Sequence, residues 1–182
     1  MSTLHRFLPL LSLLAAGCAS YQPVSDTPVR IGRSYTVRGV TYVPGEQPGY
    51  DEVGYASWYG HESGNRTARG EKFRPDGISA AHPTLPLPSY VEVSELTSGR
   101  TILVRVNDRG PFARGRIIDL SRGAAKLLGI DRQGQAAVRV CLADPDEKDR
   151  KRLRKGKAAK ERPPLTSEVL AAQRRRLSLP RE

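Results

Sequence analysis

The sequence predicts a mainly β domain, a sandwich or small barrel interrupted by one short helix, between a polar N-terminal stretch and a basic C-terminal tail. Short runs of alternating apolar and polar residues follow one another from Val53 to Leu142. That period of two turns one face of each run toward a core. Gly, Pro and Asn punctuate the gaps, as tight turns require. A single stretch with helical spacing, "SRGAAKLLGI", breaks the alternation.

Taken in order, the chain opens with Arg6 and an apolar stretch from Phe7 to Ala16. This stretch is too short to span a bilayer and reads as a secretory signal. Small residues then lead straight to Cys18 in "LLAAGC", which looks like a bacterial lipobox. Residues 1–17 are therefore expected to be a lipoprotein signal peptide, and Cys18 the lipid-modified first residue of an exported chain. Ala19 rather than an aspartate follows it, which points to the outer membrane over the inner one.

Residues 18–50 read as a tether, polar and expected to be disordered, with one possible hairpin where "RSYTVRGVTYVPG" sets two alternating runs around Arg38 and Gly39. The folded domain is expected over 51–143. Its strands are "VGYASWYG", "SYVEVSEL", "TILVRVND", "RIIDLS" and "AAVRVCL". The helix takes Ser121 as its N-cap and stops at Gly129, with Ala124, Ala125, Leu127 and Leu128 expected on a buried stripe. Residues 144–182 hold thirteen Lys and Arg against seven acids. So few large apolar side chains cannot offset ordering entropy, so this tail is expected to be disordered or weakly helical, with "LTSEVLAAQRRRL" as a terminal helix.

The formal net charge of +11 would suit nucleic acid. Export argues against that partner and favours anionic headgroups or an acidic wall polymer. A lipidated Cys18 leaves Cys141 without a disulfide partner, as a small buried thiol. His61 and His82 lack the i,i+4 spacing or cysteine cluster of a zinc site, so no metal and no cofactor is expected.

Chemistry concentrates in "VRVNDRGPFARGRIIDLS", where Asp108 and Asp119 stand among Arg105, Arg109, Arg114 and Arg116. Together with "GYASWYG", "TARGEKF" and "SAAHPTLPLPSYVEV", in this order, the stretch resembles the rare lipoprotein A family. The resemblance implies a six-stranded double-psi β-barrel acting as an endolytic lytic transglycosylase on peptidoglycan glycan strands, peptide-poor ones in some members. The products would end in 1,6-anhydromuramic acid, in the service of wall remodelling or daughter-cell separation. It carries activity onto Glu71, His82 and Asp108. More distant double-psi barrels, expansins among them, imply an acid at Asp119. A non-catalytic, expansin-like binding module is the alternative.

The residue types suit this chemistry. Cleaving a glycosidic bond needs a carboxylic acid that stays protonated, because the leaving oxygen must receive a proton as positive charge develops on the ring. A lytic transglycosylase uses the C6 hydroxyl of muramic acid as its nucleophile, so one group can donate the first proton and accept the second. If Arg109 pairs with Asp108, that aspartate is ionised and Asp119 must be the acid; if the arginines turn away, repulsion between the aspartates raises one of them. Arg109 and Arg116 are candidate ligands for substrate carboxylates. Trp58 and Tyr59 fall on opposite faces of a strand, so one of them can line a cleft and stack on a sugar. Each candidate has a plainer reading: Asp119 as a helix cap, Glu71 as a turn carboxylate and His82 as a hydrogen-bonded structural histidine.

Overall fold

The computed structural model describes residues 23–60 and 64–179. The signal peptide, Cys18 and His61 lie outside the described residues. Two strands form a hairpin, β1 (Tyr35–Val37) and β2 (Val40–Tyr42). Six more close a barrel: β3 (Asp51–Tyr59), β4 (Ser79–Ala81), β5 (Ser89–Glu95), β6 (Thr101–Asp108), β7 (Arg116–Ser121) and β8 (Ala136–Leu142).

The barrel order is β3-β7-β4-β6-β5-β8. The β3/β7 and β4/β6 pairs are parallel, and the other neighbours run antiparallel. Closure removes every exposed sheet edge from the barrel. Alternating residues such as Val91, Val93, Val104, Val106, Ile118, Leu120, Val138 and Val140 fill the interior. Each such side chain contributes about 1.5–3 kcal/mol by leaving water.

Helix α1 (Arg122–Leu128) follows β7 without a loop and buries Ala124, Ala125 and Leu128, whereas Leu127, expected on the same stripe, is exposed because it falls on the outer side of the turn. The Ser121 hydroxyl accepts from the Ala124 N–H, and Gly129 closes the helix at φ 88°. Gly123 has a different reason for being glycine: a Cβ there would lie 2.3 Å from the Asp76 carbonyl oxygen. Its missing side chain lets the helix start against the 75–77 backbone.

The tail carries the expected terminal helix but is more ordered than its composition suggests. Besides α3 (Ser167–Ser178), which overlaps "LTSEVLAAQRRRL", it contains α2 (Glu147–Arg154), which was not singled out by the sequence, so the described residues hold three helices. Composition misleads here because the tail is held by charge and carbonyl contacts rather than by a core of its own. Arg162 bonds Glu92 and Asp149, Arg174 donates to the Leu96 and Thr97 carbonyls, and Arg176 reaches Asp51. Leu153 alone of the tail's large apolar side chains is buried. The described part of the tether is equally attached, through the Asp26 contacts below and the Arg30–Leu87 bridge. Cys141 is half-buried rather than buried, and burial raises its thiol pKa.

Candidate active site

Register builds the site. Ala81, the last residue of β4, pairs with Asp108 on β6 and with Asp119 on β7, and Asp119 pairs in turn with Ser57 on β3. Four neighbouring strands therefore bring Ser57, Asp119, Ala81 and Asp108 into one row. With strands about 4.8 Å apart, the two aspartates are spaced roughly 10 Å along the row with only a methyl group between them. Both line a groove of about 420 Å³, together with Tyr59, Arg66 and the 109–113 loop.

The two carboxyls differ in their partners. Asp108 Oδ1 accepts from the backbone N–H groups of Ala68 (2.7 Å) and Arg109 (2.8 Å). Burial raises its pKa against those two bonds and the Arg109 charge. Asp119 Oδ1 accepts from the Ser57 hydroxyl at 2.7 Å, and its Oδ2 lies 3.5 Å from Arg116 Nη2. Burial raises this pKa too, opposed by Ser57 and by the Arg116 cation. The Tyr59 phenol is held neutral well above its ordinary range by burial and then by the fields of Asp108 and Asp119.

The other expected site residues sit elsewhere. Glu71 is 1% exposed. Its carboxylate takes a two-pronged bond from Arg105 (2.7 and 2.9 Å) and another from Asn107 Nδ2 (2.8 Å). Arg105 also bonds Asp26 (3.1 Å), which Tyr90 and Arg154 reach as well. His82 is buried, and burial with the Arg109 charge pushes its pKa down to about 3. Its Nδ1 accepts from the Thr84 and Leu85 N–H groups, so Nε2 carries the proton toward the Tyr50 hydroxyl at 2.9 Å.

Neither residue opens onto the groove, yet both grip Asp108 from behind. The His82 N–H donates to the Asp108 carbonyl, and Glu71 ties Asn107 to the 67–71 turn whose Ala68 N–H holds the Asp108 carboxyl. Arg109 does not pair with Asp108 through its guanidinium, which donates to the His82, Leu85 and Ile31 carbonyls. Arg116 donates to Ser57 at 2.5 Å beside its pairing with Asp119. Of the two aromatics, Tyr59 lines the groove; Trp58 packs against the core and donates to the Gln133 carbonyl. Sequence reasoning passed over Ser57, although alternation along β3 puts it on the face of Tyr59. It also passed over Arg105, Asn107 and Asp26, for which no local pattern existed.

A closed six-stranded barrel with two parallel pairs, β3/β7 and β4/β6, and a groove lined by two carboxyls defines a double-psi β-barrel. Residues 51–140 match the lytic transglycolase family, and through this barrel the chain belongs to that family. An endolytic peptidoglycan transglycosylase RlpA of Pseudomonas aeruginosa is 53% identical over 113 residues, 61% of this chain and 33% of that protein. The protein of the same name from Neisseria meningitidis serogroup A is 43% identical over 148 residues, 76% of this chain and 62% of its own length. The chain thus spans less than two thirds of either relative. Among solved structures, a Streptomyces papain inhibitor is similar at 24% identity and a TM-score of 0.46, covering 54% of this chain and 100% of its own. A Clavibacter michiganensis expansin is similar at 17% identity and 0.42, covering 55% and 54%.

Proposed function

We propose that this protein is an endolytic lytic transglycosylase of peptidoglycan, anchored in the envelope through a lipidated Cys18, in the outer membrane, and used in wall remodelling or cell separation. The observation that carries the reading is the row in which Ala81 alone separates Asp108 from Asp119 on the floor of one groove. The RlpA relatives, named as endolytic peptidoglycan transglycosylases, supply the substrate class.

Asp108 is the acid, since among the described residues no cationic side chain pairs with its carboxyl, while Arg116 favours the charged form of Asp119. The Asp108 carboxyl gives its proton to the glycosidic oxygen as the bond to C1 breaks. The ionised Asp119 stabilises the positive ring. The C6 hydroxyl of the same muramic acid then attacks C1, and Asp108 takes that hydroxyl's proton, which restores the acid and leaves a 1,6-anhydro end. Glu71 and His82 are positioning residues for Asp108. Peptide-poor strands are the better substrate, because removing the stem peptide frees a lactyl carboxylate that a basic groove attracts.

The test incubates residues 19–182 with sacculi and with peptide-free glycan, and reads the products by mass. Anhydromuramic ends support the proposal. Reducing ends would mean a hydrolase, and uncut sacculi carrying pelleted protein would mean a binding module.

A further inference from the structure

One wall of the groove comes from outside the residues that match the family: Val37 and Arg38, at the tip of the β1–β2 hairpin, line it opposite the barrel's own loops. The hairpin is built into that position. Arg38 (φ 50°) and Gly39 (φ 79°) both take the left-handed conformation that a two-residue hairpin turn of the right twist needs. Tyr35 and Tyr42 stack at 5.4 Å, and Phe112 of the groove loop packs edge-on against both. The Tyr35 hydroxyl donates to the Pro83 carbonyl at 2.7 Å, and Arg109 ties the chain just before the hairpin through the Ile31 carbonyl.

The charges of the groove divide into engaged and unengaged ones. Arg109 is spent on backbone carbonyls and Arg116 on Ser57 and Asp119. Arg38 and Arg66 line the same groove, both are exposed, and among the described residues no carboxylate pairs with either. A guanidinium without an acid of its own beside a sugar-sized cleft is a ready partner for a ligand carboxylate.

We infer that the β1–β2 hairpin is a substrate subsite that selects acidic sugars, with Arg38 and Arg66 as the pair that reads a carboxylate on the glycan. This rests on the glycan reading of the groove. It assigns specificity to Arg38 of the hairpin together with Arg66 rather than to the arginines of the 104–121 stretch, and it makes the barrel over 51–140 an incomplete site.

The test compares peptide-free glycan with the same glycan after its lactyl carboxylates have been converted to amides. The variants are Arg38→Asn, since Asn tolerates the left-handed turn, Arg66→Gln and the double variant. Hairpin integrity is checked by the near-ultraviolet signal of the Tyr35–Tyr42–Phe112 cluster. For the wild type, kcat/KM is higher on the charged glycan. Each single variant lowers that preference by about fivefold through KM, and the double variant abolishes it. An unchanged charged-to-neutral ratio in the double variant, with the aromatic signal intact, overturns the inference. Should the wild type cut neither glycan, the catalytic reading fails by itself. The same ratio, read from dissociation constants in a pelleting assay, then supports or overturns the subsite.

Discussion

Strand β6 carries two carboxylate sites of opposite design, one that ties the barrel together and one that leaves an acid at the groove. At Arg105 the strand meets Glu71 and Asp26, and every acid there has a guanidinium against it. At Asp108 the strand meets only backbone N–H groups and a groove. Burial is common to both sites. Asp26, with guanidinium groups against it, has its pKa lowered, while burial raises that of Asp108, whose carboxyl meets backbone N–H groups instead.

The largest effect expected from breaking this contrast is at Glu71. Glu71→Gln leaves the buried Arg105 guanidinium with Asp26 as its remaining charge partner, and should cost about 3 kcal/mol in a denaturant melt. Asp108→Asn is the mirror case. It should lower the rate of anhydromuramic product formation by about 10²–10⁴-fold. The melting temperature at neutral pH should hold or rise slightly, because a carboxyl whose pKa burial raises destabilises the fold above that pKa.

His82 sharpens the difference through pH. Its imidazole is depressed from 6.5 to about 3, so the unfolded chain binds a proton in that window and the folded one does not. Stability is therefore lost as pH falls from 6.5 toward 3, and an NMR titration should find His82 neutral until the bottom of that range.

A smaller change is expected from Arg116→Gln. Without the cation the Asp119 pKa rises further, so the acidic limb of the pH–rate profile, set by protonation of Asp119, should move to higher pH. Smallest of all, Arg174→Ala at the exposed end of the tail should cost at most about 1 kcal/mol in the melt, with cleavage intact.

The sequence made the framework legible wherever a period was present. Strands β6 and β8 coincide with "TILVRVND" and "AAVRVCL", and α1 begins and ends at the expected caps. Strand β4 was not legible as a run, because Ser79, Ala80 and Ala81 are too few and too small to alternate; its place in a six-stranded count came only through the family resemblance. The acid row could not be read off either, since Asp108 and Asp119 become neighbours of Ala81 only through register across three strands. Whether Glu71 faces a groove or a guanidinium depends on Arg105 turning inward, and alternation along β6 gives its face but not its partner. In the tail the terminal helix was legible, but α2 and the attachment to the barrel were not, because composition counts apolar area and overlooks arginines that find carbonyls and carboxylates.

One grip reaches beyond the fold. Asp26 is held by Arg105 from the barrel and by Arg154 from α2, so the chain is moored by the time it has gone eight residues past Cys18. At about 3.3–3.6 Å per residue, that leash measures no more than roughly 30 Å when taut. If Cys18 carries the proposed acyl anchor, the point where Arg105 and Arg154 hold the chain stays within that distance of the bilayer.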